Sequence, residues 1–473
     1  KKIDKPQITP IPTNRELVSD FVKEIQQTEV KPIEPKFVDF ETDLKHGRLA
    51  DKLPYVYVQN QENGRFQLSF RYEFGDEADL RYGYAAEYLE YLATDKLTAE
   101  QVKQQFYKLA CNFSISEGSR SISVTLSGLS ENMAEAVALL EDLLQNAKAD
   151  QEAYDQFVSL TDKARADQKL DQQANFDRLV NYGIYGDYNP RRNLLTTEQL
   201  RQTSPQQLLD LLRNLSQYAH TLLYYGPMTE QQLQESLASH LSKLPSVMKP
   251  VPQNKPYVTQ PTPENEILLA PYEAKNVYMR MYHNEQRQWN PEEAPVIALF
   301  NEYFGGGMNT VVFQELREAR GLAYNAWAYY HEPELKGEPE DYFTHIITQN
   351  DKIMDCVRQF HIILDSIPQS EAAFGIAKEA LTKRLASQRT TKFGLINAWI
   401  VARDRGIDYD LDKTVYEALP QLTMKDIADF SRQQMAHKTY RYIILGDPRE
   451  LDLVSLSKYG PMHLLSQTDI FGY

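Results

Sequence analysis

The chain has 473 residues, 42% hydrophobic and 25% charged, with a formal net charge of −15. That is a globular composition with room for two to four domains. The acidic balance argues against a nucleic-acid or anionic-membrane partner, since both need a basic footprint, and no apolar run reaches the ~18 residues of a membrane helix. Two cysteines, Cys111 and Cys356, give neither a disulfide framework nor a zinc spacing.

The opening KKIDKPQITPIPTN has neither an initiator methionine nor an apolar signal region and reads as a linker from an upstream half. We assign residues 1–45 to it, with one helix over Asn14–Gln27. A first unit, residues 46–244, follows. It begins with a hairpin, PYVYVQ and RFQLSFRYEFG around a turn at Asn60–Gly64. Helices at Tyr82–Leu92 and Ala99–Ala110, the alternating strands NFSISEG and SISVTLSGL, and a helix at Met133–Lys148 come next. A helical stretch runs from Gln151 to about Val180, Ser204 caps a helix with Pro205 at its first position, and HTLLYYG closes the unit. Six prolines between Pro245 and Pro263 mark a linker, residues 245–264. The second unit, residues 265–473, repeats the plan, from ENEILLAP and NVYMRMYH to YRYIILGD. Phe66 maps to Tyr278 and Glu90-Tyr91 to Glu302-Tyr303, both 212 positions on, and Gly226 maps to Gly446, 220 positions on. The expected class is α+β: two homologous two-layer units with mainly antiparallel sheets.

The stretch from Pro295 to Tyr330 organises the second unit. An amphipathic helix carries Val296, Leu299, Phe300, Tyr303 and Phe304 on one stripe. Gly305, Gly306 and Gly307 break it. Asn309 or Thr310 caps a second helix with Val312, Leu316 and Ala319 on one side, and Gly321 supplies a left-handed residue at its end. A strand then alternates Tyr324, Ala326, Ala328 and Tyr330. Arg317 and Tyr324 flank this helix-to-strand joint. A guanidinium and a phenol supply fixed hydrogen-bond donors suited to a peptide carbonyl or the oxyanion it becomes. The structural alternative is that Arg317 pairs with a nearby glutamate and Tyr324 fills the core.

The run F-Q-E-L-R-E-A-R-G-L-A-Y, Phe313–Tyr324, resembles the signature of the C-terminal half of the insulinase/pitrilysin-like (inverzincin) metallopeptidases, a family that includes bacterial zinc proteases and the mitochondrial processing peptidase subunits. The resemblance implies that Arg317 and Tyr324 reach toward a catalytic zinc site in another half. It also implies that Gly305, Gly306, Gly307 and Met308 form a substrate-contacting loop, shorter here, and that each unit has the mitochondrial processing peptidase-like metallohydrolase fold. The family's H-x-x-E-H motif, aligned through the helix after the first hairpin, falls on Glu87, Glu90 and Tyr91. Only Glu90 then matches, as the base. The window of the third ligand, Gln156–Asp177, holds no glutamate, and the nearest of the nine histidines, His331 and His345, are fourteen positions apart. No metal is expected in this chain; zinc is expected in the upstream or partner half.

No nucleophile elbow, Walker A loop or dinucleotide fingerprint is present. The reading is a non-catalytic C-terminal half that encloses and positions peptide for a zinc site in a separate N-terminal half. Its partners are that catalytic half and the peptide substrate, with no nucleic acid and no membrane insertion, in a periplasmic or envelope location. The alternative is an inert scaffold or assembly subunit of the same fold.

Overall fold

The computed structural model describes residues 19–29 and 31–473. Of the first expected helix, Asp20–Gln27 is formed, with Ser19 capping it; the part before Ser19 lies outside the described residues. The first sheet has six strands: β1 (Lys45–Leu49), β2 (Leu53–Gln59), β3 (Arg65–Tyr72), β4 (Cys111–Glu117), β5 (Ile122–Leu129) and β6 (Thr221–Gly226). Their order is β1-β2-β6-β3-β5-β4. The second sheet has β7 (Glu266–Pro271), β8 (Asn276–His283), β9 (Asn325–His331), β10 (Asp341–Gln349), β11 (Arg441–Gly446) and β12 (Met462–Leu464), in the order β12-β7-β11-β8-β10-β9. Five strands of each sheet correspond one to one, and the parallel pair β2/β6 recurs as β7/β11. The other ladders are antiparallel apart from β12 on β7.

The expected hairpin of β2 and β3 does not form. β6 lies between them, parallel to β2 and antiparallel to β3. The five-residue connection spans up to ~17 Å, enough to step over one strand, so adjacency in sequence did not force pairing. β2 is buried along most of its length, on both faces, as an internal strand is. β7 and β8 repeat this, with β11 inserted.

The ladders also correct the repeat. β6 and β11 correspond at 220 positions, Gly226 to Gly446 as expected; Gln67 pairs with Tyr225 where Tyr278 pairs with Leu445. Hence β8 lies 211 positions after β3, and Phe66 corresponds to Val277, not Tyr278. A slip of one position would exchange the two faces of a strand. The core face of β3 carries Phe66, Leu68, Phe70 and Tyr72, and that of β8 carries Val277, Met279 and Met281.

One face of each sheet is packed by its own unit's helices, giving the two large cores. The opposite faces are covered by exchange. The Gln172–Tyr185 helix of the first unit seats Phe176, Leu179 and Val180 against Leu268, Ala270, Ile443 and Leu445 of the second sheet. The Gly394–Arg405 helix of the second unit seats Ile396 and Ile400 against Val56, Val58, Leu223 and Tyr225 of the first. Val38, Phe40 and Leu44 join that cluster, so this part of the expected N-terminal linker is packed chain. The proline-rich stretch is likewise an extended strap with buried Tyr257 and Thr262; its Lys255 and Gln260 N–H groups donate to Glu77 and Ile184 carbonyls. The helical stretch expected from Gln151 is two helices, Gln151–Leu170 and Gln172–Tyr185, with Asp171 capping the second.

Candidate functional site

The joint between helix and strand is built as expected in outline and differs in detail. After the Ala294–Phe304 helix, Gly305 is buried because a Cβ there would lie 2.2 Å from the Ala328 carbonyl oxygen of β9. Gly306 and Gly307 are exposed, a Cβ on Gly306 would meet nothing within 4 Å and one on Gly307 only the Thr310 methyl at 3.7 Å, and Met308 is 73% exposed. Thr310 does not cap the next helix through its side chain; its hydroxyl turns back to the Gly307 carbonyl at 2.7 Å, and its own carbonyl accepts the Gln314 N–H. Phe313–Glu318 is a π-helical turn, closed by the Ala319 N–H on the Gln314 carbonyl. Such wide turns inside helices often mark functional sites. Val312 and Leu316 are buried; Ala319, expected beside them, is exposed, because the wider turn rotates it off the core side.

The turn out of the helix is tightly held. Gly321 has φ +57°, its N–H donates to the Arg317 carbonyl, and the Leu322 N–H donates to the Leu316 carbonyl. Lys352 donates to the Gly321 carbonyl at 3.1 Å, and the Thr348 hydroxyl to that of Leu322. On this rigid frame both flanking side chains stand out in solvent. Tyr324 is 77% exposed, which removes the core-filling alternative for it. Arg317 lies with its guanidinium 4.8 Å from the centre of the Phe313 ring, and its Nε is 3.9 Å from a Glu318 oxygen. That contact is long and solvent-exposed, so it contributes little. Tyr324 stands one position before β9, its N–H donating to the Ile347 carbonyl at 2.9 Å. The repeat puts Cys111, opposite Gly128, in the same place, and Cys111 is buried. The fold therefore does not require an exposed ring there.

The expected vestige of a metal motif looks different. Glu87 is exposed, with partial burial of its carboxyl and then Glu90 raising its pKa; Glu90 ends the Arg81–Leu89 helix, and Tyr91 is 55% exposed. Tyr88, not Tyr91, is the counterpart of Tyr303: each hydroxyl bonds the start of the unit's next long helix. The Glu-Tyr pair of the repeat is thus Glu87-Tyr88 with Glu302-Tyr303, an offset of 215. Glu87-Tyr88 inside this helix and Glu90-Tyr91 at its end lie three positions apart, so sequence identity alone does not tell which pair repeats. With Glu87 in the base position, the H-x-x-E-H spacing falls on Tyr84, Glu87 and Tyr88. Arg165, inside the window of the third ligand, donates to the Tyr84 hydroxyl at 2.9 Å and to the Leu195 carbonyl at 2.7 Å. A buried guanidinium beside that phenol repels a cation, so these residues do not suit a metal ion. Among the described residues no three His, Cys, Asp or Glu side chains are gathered to hold one.

Residues 204–381 match the family model of the peptidase M16 inactive domain, a span that includes Arg317 and Tyr324. Over those residues the chain is similar to an M16 inactive domain. Solved M16-type structures share its fold. The peptidase M16 inactive domain from Pseudomonas fluorescens superposes with a TM-score of 0.65 at 14% identity, over 85% of this chain and 98% of that one. The ferredoxin protease FusC, solved in complex with Arabidopsis ferredoxin, does so with 0.69 at 11% identity over 93% of this chain and 49% of its own. The periplasmic protease PqqL from Escherichia coli gives 0.64 at 14% identity, over 94% and 49%. The chain therefore spans about half the length of FusC and PqqL. No curated protein matches it. Family model and fold together agree with the likeness read from Phe313–Tyr324, to the C-terminal half of an insulinase-like peptidase.

Proposed function

We propose that this chain is the peptide-positioning half of a two-half M16 zinc metallopeptidase. Its catalytic half, as a partner or as part of the same polypeptide, supplies the metal and the general base. What carries the reading is the pair of unburied, weakly partnered donors, Arg317 and Tyr324, on a π-helical turn locked by Gly321, Thr348 and Lys352. Exposed side chains on rigid backbone suit a site completed by another surface. The half-length coverage of FusC and PqqL, and the M16 inactive-domain match, support it.

In this reading a zinc ion, if held by the other half, would supply Lewis-acid chemistry there. This chain's contribution is electrostatic and geometric. The Arg317 guanidinium offers a fork of N–H donors and Tyr324 one O–H donor, aimed at oxygen charge that grows during attack on the peptide bond. Met308 and the open Gly306-Gly307 backbone contact the peptide beside them. PqqL is described as periplasmic, and a periplasmic or envelope location is proposed for this chain too; no described helix is long and apolar enough to cross a membrane.

The test is reconstitution. Purified chain mixed with its catalytic half is expected to restore peptide hydrolysis that neither part shows alone. A catalytic half that is fully active without this chain would refute the proposal and favour a scaffold role.

A further inference from the structure

The two sheets carry opposite chemistry on the face that the exchanged helices leave partly uncovered. In the first sheet the positions along β3, β5 and β4 are Gln67, Ser69, Ser123, Thr125, Ser114 and Ser116, and the Ser69 and Thr125 hydroxyls bond each other at 2.9 Å. The ladder register maps these onto Tyr278, Arg280, Phe343, His345, Trp327 and Tyr329 of the second sheet. The same fold is thus built with Gln67 and small hydroxyl side chains in one unit; in the other, Tyr278, Phe343 and His345 pack toward Phe176 of the exchanged helix, and Arg280, Trp327 and Tyr329 stand beside them. The second-unit face is also not sealed: Tyr329 is 43% exposed, and Trp327, Phe343 and Arg280 are half-buried.

Arg280 is the unusual member. Its guanidinium lies 4.1 Å from the centre of the Phe343 ring and 5.8 Å from that of Trp327. Its Nε is buried without a hydrogen-bond partner, and no carboxylate is within ion-pair distance of it among the described residues. Asp177 and Asp341 are near enough to be felt, but Asp177 accepts from Gln173 and Asp341 faces His331. Burial draws Arg280 down to about 10, which leaves it a cation at neutral pH. Beside it, His345 is 6% exposed, with Nδ1 unpartnered; burial and then Arg280 push it down to about 3, so it is neutral. A stacked guanidinium lacking a counter-ion, framed by rings, is chemically complementary to a carboxylate on a chain with apolar neighbours.

We infer that this face of the second sheet docks an acidic segment of the extended polypeptide substrate, with Arg280 taking an Asp or Glu carboxylate and Trp327, Tyr329 and Phe343 packing against the residues beside it. The inference rests on the peptide-positioning reading, because Tyr324 leads directly into β9, the strand that carries Trp327 and Tyr329. Trp327, His345 and Arg280 are in register across β9, β10 and β8. At ~3.3 Å per residue along a strand and ~4.8 Å between strands, Arg280 stands ~14 Å from Tyr324. An extended chain covers that in about four residues. The acidic residue is therefore expected three to five positions from the bond held at Arg317 and Tyr324.

The test uses the full chain and fluorescein-labelled decapeptides that differ only by Glu or Gln at one position, read by fluorescence anisotropy. Wild-type chain is expected to bind the Glu peptide about tenfold or more tightly, and Arg280→Met to lose that preference while keeping its melting temperature. Trp327→Ser, which installs the first unit's residue, is expected to weaken both peptides by a similar factor. Equal binding of the two peptides by wild-type chain, or an undiminished preference in Arg280→Met, would overturn the docking wall and leave the peptide-positioning reading standing. That reading fails separately, in the mixing experiment, where the readout is restored cleavage of any peptide.

Discussion

Tyr88 and Tyr303 make the same pair of hydrogen bonds in the two units. The Tyr88 hydroxyl donates to the Asp150 carbonyl at 2.8 Å and accepts from the Asp150 N–H at 3.0 Å. The Tyr303 hydroxyl donates to the Pro368 carbonyl at 2.6 Å and accepts from the Ser370 N–H at 3.1 Å. Asp150 and Ser370 cap the Gln151–Leu170 and Glu371–Ser387 helices, so each tyrosine ties its unit's first core helix to the next long one.

Because both rings are buried, removing a hydroxyl strands a donor and an acceptor. Tyr88→Phe and Tyr303→Phe should each cost about 1–3 kcal/mol, seen as a lower melting temperature. Tyr91→Phe, at the exposed position, should stay within about 0.5 kcal/mol of wild type. Equal losses for Tyr91 and Tyr88 would argue against the corrected repeat.

Glu117, at the end of β4, is pushed up to about 8 by burial, then by Asp76 and Asp79. An unfolded glutamate titrates near pH ~4.3. Between those values the native state keeps a proton that the unfolded state has released, so this group's contribution is full below the unfolded value and is lost as pH rises toward 8. Glu117→Gln retains a neutral side chain and does not titrate. Denaturant unfolding should show the variant flatter than wild type from pH 5 to 8, and on the order of 1–3 kcal/mol more stable at pH 8, allowing for partial exposure.

The exchanged helices make each unit incomplete without the other. Phe176→Ala, which hollows the contact of the first unit's helix on the second sheet, should cost about 3–5 kcal/mol by thermal denaturation. Residues 266–473 produced alone would expose Leu268, Ala270, Ile443 and Leu445, and should aggregate unless residues 19–244 are co-expressed. A soluble, cooperatively melting second unit by itself would contradict this.

Much of the fold is legible in the chain because period-two alternation and capping are local. NFSISEG and SISVTLSGL became β4 and β5, and the Pro205–Arg213 helix starts at Pro205 with Ser204 as its N-cap, as expected. What failed was long-range. β6 inserts between β2 and β3 from about 150 residues downstream, and nothing in a hairpin-like sequence announces a strand arriving from so far away. Arg317, Tyr324 and the glycine loop were legible because their spacing is compact. Arg280 was not: its significance lies in what its neighbours on β9 and β10 are, and in what the first sheet carries at the same positions. The alternation of β9 puts Ala326, Ala328 and Tyr330 on the core face and Trp327 and Tyr329 on the other side.

The central claim is that Arg317 and Tyr324 serve a reaction centre outside this chain. Both are exposed, so Arg317→Ala and Tyr324→Phe should leave the melting temperature of the chain within a degree or two. The decisive measurement is kcat for peptide hydrolysis by the reconstituted two-half enzyme carrying each substitution. The account predicts a fall of about 10²-fold or more in kcat with unchanged stability; wild-type kcat in both variants would contradict it.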